Sequence, residues 1–488
     1  MVGGFFRNNL KKGLTNVSFR AAILLSADSK MALVVRSVFQ HTELQGGVFM
    51  KPKVIKKALK DTIQAMTDCS WLFSARPGKD NTRNRKFPFQ KVVSSILAFG
   101  SGTLNHEIMD FFGFDPSVGT SSAFIQRRAT ILPEAFACLF QHFTEKVDED
   151  LRYCGFRLLA VDGSDLQIAA NPDDPDSYYP GVNGQKDYSL LHINAMYDVQ
   201  QHIYVDALVQ KSRKTDESGA LTAMVDRSAI ANALLLADRG YESYNNLAHI
   251  QEKGWKFLIR IKDGACGIAS RLTLPNTDQF DVPFHLKLTN KQTNETKQLF
   301  NDRNCYKFIP STTRFDYLPH KSRKHDPTQF YDLSFRIVRF PISESTYETV
   351  ITNLDESAFP LHNIKKLYAM RWGIETSFRS LKHTLGLLHL HAKKVEFVLQ
   401  EIFAKLTMYN FCELITQSVI IQQAQKKYTY KVNFSDAVHI CKQFFLGAVP
   451  PPIVEALLMR HISPIRPGRK DARKLTQKPP VSFTYRVA

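Results

Sequence analysis

The chain has 488 residues, of which 44% are hydrophobic and 23% charged. This composition provides for several apolar cores and excludes a disordered chain or a small disulfide-stapled scaffold. The 64 Lys and Arg residues exceed the 46 Asp and Glu residues, which gives a net charge of +18. Such an excess favours a polyanionic partner, nucleic acid first and an anionic membrane surface second.

The charge is unevenly distributed along the chain. The net charge is +12 over residues 1–100, −10 over residues 101–250 and +8 over each of 251–400 and 401–488. Passive binding of nucleic acid needs only a basic surface. The acidic middle therefore needs its own explanation, such as metal ligation.

The cysteine pattern and the hydropathy of the chain indicate its cellular compartment. The seven cysteines are scattered and form no C-x-x-C pair, which argues against a disulfide framework or a zinc site. No stretch approaches 18 apolar residues, and the N-terminus lacks the order of a signal peptide. We therefore expect a cytoplasmic protein that does not enter a membrane. Residues 1–50, which include an alternative start at Met31, are left without a function.

Apolar residues at helical spacing predict an α-helical DNA-binding domain over 51–150. Within it, 104–112 and 121–131 are short helical candidates joined by Gly and Pro, the arrangement of a helix-turn-helix. The second helix would present Arg127 and Arg128 to phosphates and base edges. Ordinary helix packing stays open as the alternative, because such pairs occur in most α proteins.

Over 151–262 the pattern changes to an α/β arrangement that predicts the first part of a catalytic core with a mixed sheet. The buried run FRLLAV is predicted to end at Asp162, and the run ALLLA at Asp238. Between them, LLHINAMYDV and HIYVDALVQ predict an antiparallel pair. Carboxylates at the ends of buried strands lie where open α/β sheets place their sites.

Three further segments follow the first part of the core. Short strand-like runs (FHLKL, CYKFI, LSFRIVRF and TYETVIT) predict a β-rich insertion over 263–355. Residues 356–415 are helical and are assigned to the second part of the core. Residues 416–488 form a helical C-terminal region with a basic tail, which is either a phosphate-contacting arm or a solvated terminus.

An apolar stripe at three-and-four spacing predicts one amphipathic helix over 361–391. A second, polar stripe on that helix comprises Tyr368, Arg371, Glu375, Arg379 and Lys382. It sets the carboxylate of Glu375 among side chains that can bind phosphate. A solvated polar face is the plain alternative. Trp372 is expected to pack in the core rather than to stack on a base.

Asp162, Asp238 and Glu375 have a common chemical rationale. Two strand-end aspartates and one helix-face glutamate could converge on a pair of Mg²⁺ ions, which prefer carboxylate oxygen. Two such ions clamp the attacking and leaving oxygens of a phosphoryl displacement. For Asp165, support of the site or contact with solvent is favoured over ligation.

Three motifs, in this order, resemble those of the insertion-sequence-4 family of DDE transposases. They are Asp-Gly-Ser from Asp162, Asp-Arg-Gly-Tyr from Asp238 and Tyr-x2-Arg-x3-Glu-x6-Lys from Tyr368. The resemblance covers about residues 90–475, and the interval between the second and third motifs has room for the β-rich insertion.

The resemblance implies a bacterial cut-and-paste enzyme with a ribonuclease-H-like core that a β-strand insertion interrupts. It implies that Asp162, Asp238 and Glu375 bind Mg²⁺, with Mn²⁺ able to substitute. Tyr368, Arg371 and Lys382, with Arg379 on the same face, would contact DNA.

The partners implied are transposon-end and target double-stranded DNA, bound by a homodimer in a paired-end complex at the nucleoid. The enzyme would cleave at each end of the element and join the 3′-hydroxyls to target DNA. A ribonuclease-H-like nuclease without strand transfer and a catalytically decayed DNA-binding derivative are the alternatives.

Overall fold

The structure is a computed structural model that describes residues 50–82, 86–182, 184–262, 267–318, 330–343, 346–419, 430–465 and 484–485. Its helices, α1 to α13 in chain order, are Pro52–Asp68, Phe89–Ala98, Leu104–Phe111, Ser121–Arg128, Glu134–Lys146, Glu217–Arg227, Tyr244–Glu252, Asn294–Leu299, Leu361–Met370, Trp372–Arg379, Val395–Gln417, Phe434–Leu446 and Pro451–Arg460. Its strands, β1 to β14, are Arg157–Ile168, Tyr178–Tyr179, Tyr188–Asp198, Ile203–Lys211, Ala233–Ala237, Lys256–Arg260, Phe280–Thr289, Tyr306–Phe308, Tyr331–Ser343, Thr346–Thr352, His389–Leu390, Tyr430–Val432, Ile462–Pro464 and Thr484–Tyr485.

The chain divides into two compact units. The terminal unit comprises residues 1–148 and 384–488, and the central unit comprises residues 149–383. Residues 384–415, which the sequence assigns to the second part of the core, lie in the terminal unit, where α11 packs against α1, α2, α5 and α12.

Helix α11 is the centre of the terminal unit. Apolar residues lie on all of its sides, and Val398, Ile402, Leu406 and Phe411 are fully buried. A helix that is apolar all round is stable only when it is surrounded. The four helices packed on α11 supply that surrounding.

Helices α3 and α4 form where the helix-turn-helix pattern places them. Thr103 caps α3 and Thr120 caps α4, each by accepting a backbone N–H with its side-chain oxygen. Such caps satisfy one of the otherwise unpaired donors at a helix start. The pattern therefore locates both helices correctly.

Arg128 does not have the DNA-facing position predicted for it. The residue is 1% exposed, and its guanidinium lies 2.9 Å from the Glu401 carboxylate of α11. Its Nε donates to Gln400 Oε1 at 2.6 Å, and its Nη2 donates to the Phe397 carbonyl at 2.6 Å. Arg128 therefore holds α4 on α11 and offers no free cation to DNA. Arg127 is half-buried, and its Nε donates to the Phe87 carbonyl at 3.0 Å.

The central unit is built on one mixed sheet. The strand order is β2-β3-β1-β5-β6-β10-β9-β7-β8, and β4 also pairs with β3. Strands β1, β5 and β6 are parallel, whereas β3 and β10 flank them in antiparallel pairing. The predicted mixed α/β architecture is confirmed, and so is the antiparallel β3–β4 pair.

Strand β1 does not end at Asp162 as predicted. It continues to Ile168, because β3 pairs with it as far as Ile168 while β5 ends opposite Val161. Beyond Asp162, β1 is therefore paired on one side by β3 but no longer by β5.

The four strand-like runs of segment 263–355 are strands, and they extend the same sheet. Strand β10 pairs with β6, β9 with β10, β7 with β9 and β8 with β7. The apolar cluster of this region includes Leu286 and Ile337 as well as Leu235 of β5. The inserted segment thus shares the hydrophobic core of the sheet.

The single helix predicted over 361–391 is shorter and divided. Helices α9 and α10 are separated by Arg371, whose backbone is itself helical, and a π-helical turn follows at Ser380–Thr384. Gly386 then takes a φ of 78°, a left-handed value that favours glycine. Beyond it, β11 pairs with β14, which ends the helical path.

None of the described helices combines the length and apolarity needed to cross a bilayer. Residues 1–49, which include Met31, and most of the basic tail lie outside the described residues.

We predict that Arg128→Met lowers the free energy of unfolding by about 3–5 kcal/mol, because Glu401 would keep a buried charge without its main partner. Urea unfolding followed by circular dichroism measures the change. Gln126→Met, at an exposed position of the same helix, is the control and should change stability by less than about 0.5 kcal/mol. A loss below about 1 kcal/mol for Arg128→Met would contradict the assigned role.

Candidate active site

The parallel pairing of β1 with β5 brings the first two motifs together. Val161 is in register with Ala237, so Asp162 and Asp238 follow on adjacent strands. Neighbouring strands lie about 4.8 Å apart. Two carboxylates that are 76 positions apart in the sequence (238 − 162 = 76) therefore stand side by side.

Both aspartates lie on the same face of the sheet. Val161 and Ala237 belong to the apolar cluster that packs on α6 and α7. Side chains alternate along a strand, so Asp162 and Asp238 belong to the opposite face.

Helix α10, which carries Glu375, packs on β1. Two residues anchor this helix. Ser377 Oγ lies 2.8 Å from the Tyr204 hydroxyl, and the Phe378 ring packs against the Tyr204 ring with centroids 5.9 Å apart. These contacts set the height of α10 over the sheet and so place Glu375 near the aspartates.

The pKa of Asp162 reflects its burial and the charges of its neighbours. Burial raises the pKa of Asp162 to about 6. The backbone N–H of Gly163, at 3.0 Å from Oδ1, and the charge of Arg371 act to lower it, whereas Glu375 and Asp238 raise it further. The three predicted metal ligands therefore interact electrostatically, with Arg371 as the nearby cation.

Arg371 is buried and pairs with the carboxylate of the third motif. Its Nη2 lies 2.7 Å from Glu375 Oε1, one helical turn away. The guanidinium also lies over the Trp372 and Tyr368 rings, at 5.3 Å and 5.7 Å from their centroids. Trp372 is 49% exposed, so the expectation that it packs in the core is wrong.

Two buried polar atoms of the third motif have no partner among the described residues. They are Arg371 Nε and the Tyr368 hydroxyl. An unsatisfied buried donor costs about 1–3 kcal/mol, so both atoms favour an incoming oxygen ligand. Lys382 is partly buried, and its Nζ donates to the Asp165 carbonyl at 2.6 Å, whereas Arg379 is exposed.

Residues 154–411, more than half of the chain, match a family model described as "Transposase DDE domain". The chain belongs to the DDE transposase family. It is 22% identical over 436 residues to Transposase InsG for insertion sequence element IS4 of Escherichia coli (strain K12). The aligned region covers 83% of this chain and 89% of that protein. The predicted similarity to the insertion-sequence-4 family is confirmed, and the chain is a DNA transposase.

Among solved structures, the chain is similar to one in the cryo-EM structure of piggyBac transposase synaptic complex with hairpin DNA. The TM-score is 0.43 and the identity 8%, over 87% of this chain and 88% of that chain.

The donor set of this transposase suits a hard divalent cation. Carboxylate oxygens are the ligands that Mg²⁺ prefers, and a cation among the three would relieve the repulsion that raises the pKa of Asp162. Within the ranges described, no three His, Cys, Asp or Glu side chains converge closely enough to hold a metal ion. Ligation by all three therefore requires their carboxylates to move closer together.

Two charged residues at the site were missed by the sequence analysis. Arg260 ends β6, and Ile259 is in register with Ala237, so Arg260 is level with Asp162 of β1 and with Asp238, which directly follows β5. Glu348 of β10 lies 3.6 Å from Arg260. The signal for Arg260 was present: like both aspartates, it follows a buried run (FLI).

We predict that Tyr368→Phe leaves the free energy of unfolding of the transposase unchanged or raises it slightly. The substitution removes a buried hydroxyl that has no partner and keeps the ring. Urea unfolding checks this, with Tyr331→Phe as the control, because the Tyr331 hydroxyl donates to Glu252 at 2.9 Å. Only the control should be destabilised, and a loss of more than about 1 kcal/mol for Tyr368→Phe would show that its hydroxyl has a partner.

Proposed function

We propose that this transposase binds the ends of an insertion sequence, cleaves DNA there and joins the 3′-hydroxyl ends to target DNA. In this proposal, Asp162, Asp238 and Glu375 hold two Mg²⁺ ions, with Mn²⁺ able to substitute. When bound, the pair of cations would stabilise the attacking and leaving oxygens of an in-line phosphoryl displacement.

The observation that carries the proposal is the register of the parallel strands. It sets Asp162 and Asp238 side by side on one face of the sheet, and α10, with Glu375, packs on that face of β1. The mutual effect of the three carboxylates on the pKa of Asp162 supports their proximity.

Residues of the third motif, together with Arg379, are proposed to bind the DNA backbone. Arg371 Nε and the Tyr368 hydroxyl are donors without a partner among the described residues, and a phosphate oxygen could satisfy both. Lys382 and the exposed Arg379 would add positive charge along the same path. Arg260, which lies beside the aspartates, is proposed to extend it.

We assign a ribonuclease-H-like fold to the core of the central unit, with the inserted strands on its β6 side. The proposal includes a homodimer in a paired-end complex, in which each subunit acts on one end. The proposed substrates are double-stranded transposon ends and target DNA at the bacterial nucleoid.

Asp162→Asn should reduce cleavage by about 10³-fold while end binding persists, because loss of several kcal/mol of charge stabilisation corresponds to that factor. The assay incubates the protein and Mg²⁺ with a supercoiled plasmid that carries the element's ends, and gel analysis follows nicked, linear and joined products. Glu356→Gln, at an exposed position, is the control. Equal cleavage by Asp162→Asn would rule out the assigned site, and cleavage without joined product in the unaltered protein would favour a nuclease.

Arg260→Gln should weaken end binding and lower the slope of log affinity against log salt by about 1, as expected for the loss of one phosphate contact. Lys256→Gln is the matched control, since Lys256 begins the same strand at its other end. Fluorescence anisotropy over a salt series measures both variants. An unchanged slope for Arg260→Gln would exclude the contact.

A further inference from the structure

A buried histidine bridges two carboxylates next to the aspartates of the site. His192 of β3 is 8% exposed, and its Nδ1 lies 2.7 Å from Asp165 Oδ1 of β1. Its Nε2 lies 3.0 Å from Glu217 Oε1, at the start of α6, as an ion pair rather than a hydrogen bond. Two carboxylates that face one imidazole favour its charged form. Burial lowers the pKa of His192, but the neighbouring carboxylates of Asp165 and Glu217 raise it to about 9.

The bridge lies directly against the backbone that carries Asp162. A Cβ at Gly163 would collide with His192 Nε2 and would lie 2.7 Å from Glu217 Oε1. Gly163 is in strand β1, so the glycine of the first motif makes room for this pair rather than forming a turn. By alternation, the pair supports β1 from the face opposite to Asp162.

Glu217 also reaches the segment of the second aspartate. Its Oε2 lies 3.6 Å from the position that a Cβ would take at Gly240, two residues after Asp238. One carboxylate therefore lies against the backbone beside both aspartates. Its place in the first turn of α6 favours a negative charge.

The other end of the bridge meets the segment of the third carboxylate. The Asp165 carbonyl accepts a hydrogen bond from Lys382, in the turn that follows α10. Asp165 lies in the part of β1 that extends past its pairing with β5. Contacts thus run from Glu217 through His192 and Asp165 to Lys382, and they touch the segments of all three predicted metal ligands.

We propose that His192 is a positioning residue of the transposition reaction: acting through Glu217 and Asp165, it holds the three carboxylate-bearing segments in the arrangement that loads metal. The inference rests on the proposed function of the three carboxylates. His192 itself touches neither DNA nor the metal. Partners that orient metal ligands from outside typically account for 10–100-fold in metal affinity or activity.

The test compares His192→Asn, Glu217→Gln and their double variant as full-length protein. Two readouts are used: the Mn²⁺ dissociation constant from calorimetry in the absence of DNA, and the plasmid cleavage rate at saturating DNA. His192→Asn should weaken Mn²⁺ binding and slow cleavage by about 10–100-fold, with end binding unchanged. The double variant should be no worse than the more impaired single variant, because both changes break one bridge.

His285→Asn is the control. Each ring nitrogen of His285, like each of His192, contacts a side chain, but these are Ser334 at 2.7 Å and Asp332 at 3.1 Å on β9. Its Mn²⁺ affinity and cleavage rate should equal those of the unaltered protein. Additive losses in the double variant, or a lower unfolding midpoint with unchanged Mn²⁺ affinity, would overturn the positioning role.

Failure of the inference and failure of the proposed function are separable. If Asp162→Asn abolishes cleavage but His192→Asn retains full Mn²⁺ affinity and rate, only the positioning role fails. If Asp162→Asn retains cleavage, the assignment of the three carboxylates fails, and the role of His192 fails with it.

Discussion

The site depends on the parallel pairing of β1 with β5 and of β5 with β6. This pairing sets the register that brings Asp162, Asp238 and Arg260 to equivalent positions. A slip of one residue would turn a whole strand over and send its carboxylate to the apolar face that packs on α6 and α7. Burial of the apolar face therefore fixes the positions of the charged side chains on the opposite face. The strands of the segment inserted after β6 continue the same sheet on the β6 side, and from them β10 contributes Glu348 beside Arg260.

Opposite charges then balance at the carboxylate face. Burial raises the pKa of Asp162, and the charges of Glu375 and Asp238 add to this effect. Arg371 lowers the pKa of Asp162 and also pairs with Glu375. A divalent cation would supply the rest of the compensation. In the proposed function, carboxylates such as Asp162 and Asp238 of the acidic middle bind metal, and cations such as Arg260 and Lys382 bind the DNA backbone.

Local pattern was enough to predict the motifs and most strands and helices, because a buried run followed by a carboxylate is recognisable within a few residues. The helix with two stripes was predicted in the right place, but its division at Arg371 was not predicted. Contacts between distant segments were not readable. Arg128 meets Glu401 across 273 positions, so nothing near Arg128 in the sequence indicates that it is buried. His192 meets Asp165 and Glu217 only after β1, β3 and α6 have packed. The end of β1 was misplaced because β3 supports it beyond the point where β5 ends.

Direct binding of the catalytic metal by Asp162, with Asp238 and Glu375, is the step on which the proposed function depends. Asp162→Cys tests it, because a thiolate ligand disfavours Mg²⁺ and tolerates the softer Mn²⁺. We expect that the variant loses plasmid cleavage in Mg²⁺ and regains a substantial part of it in Mn²⁺, whereas Ser164→Cys keeps the metal preference of the unaltered protein. The same ratio of Mn²⁺-supported to Mg²⁺-supported cleavage in Asp162→Cys and in the unaltered protein would contradict direct ligation.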